Sequence, residues 1–397
     1  MKIDQQFKCR ICGSQNYSLI LKTETPLAAD VSDEITLNQK RFPLDVVVCD
    51  NCGHVQLKET LDASFYGEYL YTPSYASGFI DYIELFVNRL NDKIQLKDRK
   101  VIEVGSSNGY LLDKLQKSGW TVLGVEPSKT LSKISRDKGV PTYDGFFSKD
   151  TVGEIKKLIG QPNVLIFRHV MEHLDNLEDI VKAIEEIIGD GLVLIEVPYL
   201  KRIIEEKQFY AFFHEHLSYY SVSAFKNLLQ KGNLYIHKIY ENNLEGGSIL
   251  ISVNNDNRSY PDDNLNKYLE DEKKTLTKQN IINFANLIEN SIASIKNIVK
   301  VAKERKEKIA AWGAGQRGCT LISMCGFNSS DISYVIDVNK NYWNKYVPGT
   351  DIKIVPPESY RSELVNKILI FATGYADSII KENSSFVENG GEFIKII

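Results

Sequence analysis

The sequence predicts an α/β protein with three parts in a row. Two cysteine pairs lie close to the N-terminus, and two later regions each alternate short β-rich apolar segments with helical segments. Such alternation is typical of parallel sheets that are covered by helices. We expect a small metal-binding domain at residues 1–70, a Rossmann-like domain at 71–260, a helical linker at 261–305 and a second Rossmann-like α/β domain at 306–397.

The composition is that of an ordinary soluble globular protein. Of the 397 residues, 43% are hydrophobic and 25% are charged, and the formal net charge of −4 favours neither nucleic acid nor an anionic membrane as a partner. The sequence has no secretory signal pattern and no apolar segment near the roughly 20 residues that span a bilayer. We therefore expect a cytoplasmic protein without an obligatory protein partner, in which cysteines serve metal or redox chemistry rather than disulfides.

The cysteine pairs predict a structural zinc site. Each pair has two residues between its cysteines and a glycine, Gly13 or Gly53, directly after the second one. This spacing lets two thiolates reach one ion, and four thiolates close a tetrahedral site; the alternatives are two unrelated pairs or a redox pair. His54 is interpreted as a neighbour of the site, and Cys319 and Cys325 as core thiols. The four expected zinc ligands are Cys9, Cys12, Cys49 and Cys52.

Four apolar segments predict the buried strands of the central domain. Continuous apolar runs of this length are typical of parallel strands that are buried on both faces. Helical patterns separate them, which predicts a βαβ architecture. The segments are VIEVG (101–105), VLGVE (122–126), NVLIF (163–167) and GLVLIEV (191–197).

The segment EVGSSNGY (103–110) follows the first of these strands and predicts a cofactor loop. It lacks the G-x-G-x-x-G triplet that a dinucleotide pyrophosphate needs. Its glycines let the backbone approach a ligand without phosphates, and Glu103 can attract a cationic amine, which suits the aminocarboxypropyl end of S-adenosylmethionine. Glu126 ends the next strand, where a carboxylate can accept ribose hydroxyls. Asp144 lies where adenine recognition is expected, although an ordinary turn explains it equally well.

The segment FRHVMEHL (167–174) ends the fourth strand beside the expected position of methyl transfer. Its polar residues have a simpler explanation as the start of a helix. In combination, however, the acid–glycine loop, the second acid and the V-M-E-H turn identify the central domain as a class I methyltransferase. The expected cofactor-binding residues are Glu103, Gly105, Ser107, Gly109, Glu126, Asp144 and Arg168.

The segment FFHEHLSYYS (212–221) carries the candidate catalytic residues, because proton-transfer groups and phenols are costly to bury without a purpose. A carbon nucleophile needs a base that removes a C–H proton and a donor that holds the enolate oxygen. A histidine beside a carboxylate suits the first task, and a tyrosine hydroxyl suits the second. The alternatives are a packed aromatic strand and an H-x-H metal pair on one strand face. The candidates are His214, Glu215, His216 and Tyr219.

A tyrosine-rich segment, FYGEYLYTPSY (65–75), precedes the cofactor loop. Two interpretations stay open, a lid over the site and plain aromatic packing. Its tyrosines are Tyr66, Tyr69, Tyr71 and Tyr75.

The last third of the chain predicts a long helix and a second set of buried strands. Residues 285–308 have apolar side chains at helical spacing. The loop WGAGQRG (312–318), followed by Asp337, is also compatible with a dinucleotide site. An NAD(P)-using oxidoreductase or bifunctional enzyme is therefore an alternative, and a non-catalytic scaffold is a third. The strand segments are KIAAWGAG (308–315), ISYVIDVN (332–339) and KILIFATGY (367–375).

The motifs in combination resemble the sugar C-methyltransferases that act on nucleotide-linked 4-keto deoxysugars. The resemblance covers nearly the whole chain and implies a zinc domain, a methyltransferase domain and a Rossmann-like C-terminal domain that binds substrate. It also implies that His216, with Glu215 beside it, removes the proton next to the keto group. The enolate then attacks the methyl group of S-adenosylmethionine, with the nucleotide sugar between the central and C-terminal domains. The motifs are the two C-x-x-C pairs, the tyrosine-rich segment, EVGSSNG, HEHLSYYS, GGS (246–248) and VPGTDIKI (347–354).

Three positions depart from the pattern of that family. Phe213 stands where a tyrosine is usual, Ile249 and Leu250 follow the G-G-S motif in place of Leu-Arg, and Gly374-Tyr375 replaces a Trp-Asn pair. In that family these motifs face the substrate. The sugar, its nucleotide and the methylated position, including a different small-molecule acceptor, therefore stay open at this point.

Overall fold

The computed structural model describes residues 7–62, 64–67, 77–93, 99–243, 246–256, 263–361 and 364–396. Tyr69, Tyr71 and Tyr75 lie outside these residues. The strands are β1 (Tyr17–Thr25), β2 (Phe42–Cys49), β3 (Val55–Leu57), β4 (Lys100–Val104), β5 (Thr121–Glu126), β6 (Thr142–Asp144), β7 (Val164–Arg168), β8 (Leu192–Pro198), β9 (Ser218–Tyr219), β10 (Tyr235–Asn242), β11 (Ser248–Asn254), β12 (Ile309–Trp312), β13 (Tyr334–Ile336), β14 (Lys353–Val355), β15 (Lys367–Ile370) and β16 (Glu392–Lys395). The helices are α1 (Ser64–Gly67), α2 (Ser77–Lys93), α3 (Tyr110–Lys117), α4 (Lys129–Asp137), α5 (Val152–Ile159), α6 (Leu177–Ile188), α7 (Leu200–Glu205), α8 (Val222–Leu229), α9 (Asp263–Thr275), α10 (Lys278–Glu304), α11 (Gln316–Cys325), α12 (Ala376–Glu382) and α13 (Ser384–Glu388).

The central sheet has seven strands in the order β10-β11-β8-β7-β4-β5-β6. Strands β4 to β8 pair in parallel, and the hairpin of β10 and β11 adds an antiparallel edge next to β8. All four predicted strands of this domain are confirmed, with ends that shift by at most one residue. Their apolar side chains are buried on both faces, which is why a continuous apolar run was a sufficient signal. The carboxyl ends of the parallel strands meet at one edge of the sheet.

The N-terminal sheet takes its fourth strand from the middle of the chain. Its order is β1-β2-β3-β9, and β9 pairs antiparallel with β3 through Val55 opposite Tyr219 and Gln56 opposite Ser218. The predicted metal-binding domain therefore does not complete its sheet from residues 1–70 alone. Because β9 directly follows the H-E-H segment, the pairing of β3 with β9 brings the cysteine pairs next to the candidate catalytic residues.

The predicted long helix is confirmed as α10, which has 27 residues. Its buried face belongs to the same hydrophobic core as Leu44 of β2 and Ile354 of β14. The helix is thus a packed element between the N-terminal and C-terminal sheets rather than a free linker. The buried residues of that face are Ile281, Phe284, Ile288, Ile295, Val299 and Ala302.

The C-terminal sheet has five parallel strands in the order β14-β13-β12-β15-β16. The G-A-G-Q-R-G loop connects β12 to α11, so it lies at the carboxyl edge of this sheet. Cys319 and Cys325 of α11 are each 3% exposed, which confirms that they are core thiols. Among the described helices, none has the length and apolar character that crossing a bilayer requires.

Candidate active site and zinc centre

The four cysteines of the C-x-x-C pairs converge at one point. The Sγ atoms of Cys9 and Cys52 are 3.6 Å apart, and those of Cys12 and Cys49 are 3.5 Å apart. Four thiolates at 2.3 Å from one zinc ion lie about 3.8 Å from each other, so the cluster has the size of a tetrahedral zinc site. His54 is buried beside it but hydrogen-bonds to Ser218 Oγ, at 3.2 Å. It is a neighbour of the cluster, as the sequence predicted.

The cofactor loop is held by the carboxylate at the end of β5. Glu126 Oε2 accepts the backbone N–H of Ser107, and Oε1 accepts that of Ser128, both at 2.8 Å. Gly105 has a φ of +67°, and a Cβ at this position would overlap the side chain of Val170 at the end of β7. The close approach of these two loops is therefore sufficient to require glycine at position 105, whether or not a ligand is bound.

The expected cofactor-binding residues divide into two groups. The cavity next to the loop has a volume of about 630 Å³, and five of them line it. Gly109 and Asp144 are outside the lining; Asp144 lies 3.8 Å from Arg136 in an exposed ion pair. The lining residues among the candidates are Glu103, Gly105, Ser107, Glu126 and Arg168.

Arg168, which lines this cavity, forms a buried ion pair with Glu196, which is outside the lining. Arg168 is 9% exposed, and its Nε donates to Glu196 Oε2 at 2.7 Å. Glu196 also accepts hydrogen bonds from Tyr82 and Asn242, each at 2.6 Å. Burial raises the pKa of Glu103 to about 8, and Arg168 opposes that rise. The Oε2 atom of Glu103 is buried without a hydrogen-bond partner among the described residues.

The H-E-H segment forms a turn, and its residues point in different directions. His216 lines the cavity, with its ring 4.1 Å from that of Phe213. His214 donates from Nε2 to the carbonyl of Pro43 at 3.0 Å, away from the cavity. Glu215 accepts the N–H of Ala29 at 3.2 Å. Because this segment is a turn, His214 and His216 do not share a strand face.

The structure adds two residues to the surroundings of His216. The ring of His173 lies 4.9 Å from the ring of His216, and Glu172 is buried beside them, so that the three ligand atoms lie within 4.8 Å of one another. His173 donates from Nδ1 to the carbonyl of Glu215 at 2.6 Å. The V-M-E-H motif was visible in the sequence, but its approach to the H-E-H turn, more than 40 residues later, was not. The trio is also the second group in the described residues with metal-binding dimensions.

Tyr219 and Tyr66 both hydrogen-bond to the backbone of the H-E-H turn, but only Tyr66 lines the cavity. The hydroxyl of Tyr219 accepts the N–H of Phe213 at 3.3 Å, and Tyr219 is not part of the cavity lining. Tyr66 does line the cavity, and its hydroxyl donates to the carbonyl of Glu215 at 2.9 Å. Both tyrosines therefore fix the backbone on which His216 is mounted.

The C-terminal sheet forms the opposite wall of the same cavity. Trp312, Arg317 and Tyr342 line it, together with Asp337 at the end of β13. The carboxylate of Asp337 accepts the N–H groups of Ala314 and Asn339, at 2.6 and 2.7 Å. The carboxyl edges of two parallel sheets thus face one space, which is a usual place for ligands in α/β proteins.

Three family models match consecutive parts of the chain. Residues 9–65 match a "Putative zinc binding domain", 75–239 a "Methyltransferase domain" and 243–397 a "C-methyltransferase C-terminal domain". The chain is an S-adenosylmethionine-dependent methyltransferase, and its C-terminal part is similar to that of C-methyltransferases. Over almost its whole length it is similar to the C-methyltransferase NovU of Streptomyces niveus, with 28% identity over 399 residues, 98% of this chain and 94% of NovU.

Solved structures with a likeness to this methyltransferase match about half of it. Two are magnesium protoporphyrin IX methyltransferase ChlM from Synechocystis PCC 6803, one with bound SAM and one with bound SAH. Their identities are 12% and 13%, and their TM-scores are 0.35 and 0.38. They cover 45% and 49% of this chain and 80% and 92% of their own.

The site of this methyltransferase suits its two non-protein groups. Four convergent thiols are the donor set of a closed, structural zinc site. On the donor side, S-adenosylmethionine ends in an ammonium and a carboxylate group. The buried Glu103 carboxyl, with an Oε atom that lacks a partner in the described residues, can accept a hydrogen bond from the ammonium group. The guanidinium of Arg168 is complementary in charge to the carboxylate.

Proposed function

We propose that this methyltransferase transfers a methyl group to a carbon of a nucleotide-linked keto-deoxysugar. The observation that carries the proposal is the shared cavity. It places His216 and the cofactor loop on one wall and the β12–α11 loop of the C-terminal sheet on the other. A substrate with a sugar at one end and a nucleotide at the other could contact both walls of this cavity at once.

His216 is the proposed base. Burial and the neighbouring His173 keep its pKa well below the ordinary value, so the imidazole is neutral and has a lone pair at physiological pH. Its ring makes no hydrogen bond to another described residue, whereas His214 is engaged with Pro43. An unengaged neutral imidazole at the cavity wall is suited to take a proton from the carbon next to a keto group.

The proposed step balances without a further reagent. The C–H bond next to the keto group breaks, its proton passes to His216, and the electron pair forms an enolate. S-adenosylmethionine supplies an electrophilic methyl group. The enolate carbon would form a C–C bond to it with release of the thioether, and His216 would afterwards lose its proton to water. Arg317, a cation on the opposite wall of the cavity, can stabilise the negative charge of the enolate or of a diphosphate.

The nucleotide is proposed to lie on the C-terminal sheet. Gly315 precedes α11, and the first turn of this ten-residue helix lines the cavity, where its N-terminal end favours a diphosphate. Asp337 ends β13 at the position of a ribose-binding acid in Rossmann-like domains. In this arrangement the G-A-G-Q-R-G loop binds the substrate nucleotide, and the domain needs no nicotinamide of its own.

The test is a labelled transfer assay with a panel of nucleotide-linked 4-keto deoxysugars. With donor that carries an isotopic methyl label, we expect the label in the sugar product as a carbon-bound methyl group in NMR. In heavy water the proton next to the keto group should exchange in the presence of enzyme alone. The matched control is the same sugar reduced to the alcohol, which has no acidic C–H bond. Oxygen-bound label, or turnover of the reduced sugar, would contradict the proposal.

A further inference from the structure

Arg10 stands between two zinc ligands, but its side chain leaves the zinc site. It lies between Cys9 and Cys12, and its side chain is 5% exposed. The guanidinium has five N–H donors in a rigid plane, and five acceptors surround it. They are Asp175 Oδ1 at 2.8 Å from Nε, the carbonyls of Leu57 and Leu217 at 2.7 and 3.1 Å from Nη1, and Thr60 Oγ1 and the carbonyl of Glu59 at 2.7 and 3.4 Å from Nη2.

Two of these acceptors belong to the turns that carry His216, the proposed base, and its neighbour His173. Leu217 directly follows His216, and Asp175 is two residues after His173. The two turns are also bonded to each other, because the N–H of Leu217 donates to the carbonyl of Glu172 at 2.7 Å. Arg10 therefore contacts the backbone beside His216 and the side chain that closes the turn of His173.

The other end of Arg10 is fixed by the zinc knuckle. Its backbone N–H donates to Gln56 Oε1 at 2.8 Å, and Cys9 and Cys12, the cysteines on either side of it, would be held by the metal. The backbone of Arg10 is thus fixed at the zinc knuckle, and all five donors of its guanidinium have hydrogen-bond acceptors. The distance and orientation between the zinc knuckle and the backbone of Leu217 are therefore tightly restricted.

We infer that Arg10 is a positioning residue that fixes the catalytic turn from the zinc knuckle, so that the zinc site sets the place of His216. This inference rests on the proposed role of His216 as base. The pairing of β3 with β9 already holds the two segments together, through the N–H of Leu57 and the carbonyl of Leu217 at 3.0 Å. Arg10 adds the lateral contact to the turn of His173, which that strand pairing does not make.

The test uses the full, zinc-loaded chain with Arg10→Lys and Arg10→Met, and with Arg305→Lys on the exposed end of α10 as matched control. Lysine keeps the charge for Asp175 but not the planar fork. We expect zinc content and the Kd of S-adenosylmethionine to stay within about twofold, since neither ligand set includes Arg10. Hydrogen exchange of the amides of His216 and Leu217 should accelerate at least tenfold. The kcat should fall by about 100-fold, which is the usual cost of a misplacement near 1 Å.

Asp175→Asn and Thr60→Val provide the second arm, because each removes or weakens one acceptor without altering the zinc knuckle. Smaller changes in the same direction are expected from both. Unchanged exchange and kcat in Arg10→Met would overturn the inference, and so would a parallel loss of zinc and cofactor binding, which would make Arg10 a folding residue only. The exchange measurement needs no sugar, so it decides the positioning role even if the proposed acceptor is wrong.

Discussion

His216 differs from the other histidine of the H-E-H segment in what surrounds it. His214 donates its Nε2–H to the carbonyl of Pro43, so this side chain packs against β2. The ring of His216 contacts that of His173 edge to face and that of Phe213 at a tilt, and it lines the cavity. The family resemblance pointed to the same imidazole, and the geometry supports it for an independent reason, namely access. The assignment of His216 as base stays a prediction, and it leads to a direct test.

His216→Ala should abolish methyl transfer and leave the donor bound. The variant removes the proposed base, whereas Glu103, Ser107 and Glu126 are untouched. We expect the kcat to fall by 10²-fold or more, the usual contribution of a positioned base, with the Kd of S-adenosylmethionine unchanged within about twofold by calorimetry. His237→Gln on β10, outside the cavity lining, is the control and should keep full activity. Comparable turnover by His216→Ala would remove the base assignment.

The buried carboxyl of Glu215 makes a prediction for stability against pH. Burial raises its pKa from 4.5 to about 7. The folded protein therefore binds a proton more tightly than the unfolded chain. The stability that this carboxyl contributes is fully present below pH 4.5 and is lost as the pH rises through about 7.

Glu215→Gln, which mimics the protonated acid, should remove that loss. We expect the variant to gain stability relative to wild type between pH 5 and pH 8, on the order of 3 kcal/mol. Urea unfolding of zinc-loaded protein at the two pH values measures the difference. Glu388→Gln, at an exposed site, is the control and should show no such gain. An equal or larger advantage at pH 5 than at pH 8 would contradict the burial of an ionisable Glu215.

At the scale of elements, local pattern and distant pairing were not equally visible in the sequence. The four buried strands of the central domain were predictable because their apolar runs alone identify them. The pairing of β3 with β9 was not, since β9 is only Ser218–Tyr219 and its partner lies about 160 residues away. The approach of His173 to His216 and the reach of Arg10 depend on that same pairing. The candidate site was therefore predictable as separate motifs, and its assembly was not.

The contact between helix α2 and the central sheet can be tested through Tyr82. Its hydroxyl donates to Glu196, whose carboxylate is fully buried beside Arg168. Tyr82→Phe leaves that charge with one partner fewer, and we expect a loss of about 2 kcal/mol in the free energy of unfolding. Tyr240→Phe on β10, 45% exposed, is the matched control and should change it by less than about 0.5 kcal/mol. Equal effects of the two substitutions would mean that the hydroxyl of Tyr82 does not stabilise the buried charge pair.

For the whole molecule, the three sheets cannot be treated as separate units. The N-terminal sheet, α10 and the C-terminal sheet share one hydrophobic core, while α2, α3 and one face of the central sheet form another. Cys9 and Cys49 share a third core with Ile102 and Val104 of β4, but the cofactor loop after β4 is held by Glu126 of β5. The catalytic turn, in contrast, is bonded directly to Arg10 and Leu57 through the carbonyl of Leu217. Loss of the zinc site should therefore damage the catalytic turn before it damages donor binding.

Cys49→Ser tests this order. Cys49 is 1% exposed at the end of β2, and a structural zinc site supplies much of the folding free energy of a small domain. We expect about one zinc per chain in wild type and a marked loss in the variant. Amides of β1 to β3 and of Ser218 and Tyr219 should then exchange faster, methyl transfer should fail, and binding of S-adenosylmethionine should persist. Cys325→Ala removes a buried thiol outside the cluster and should keep the zinc.

Wild-type protein without zinc would refute the metal site. Intact exchange protection at Ser218 in zinc-free Cys49→Ser would instead show that β9 holds its place without the metal, and the coupling of zinc to catalysis would fail while the zinc site itself stood.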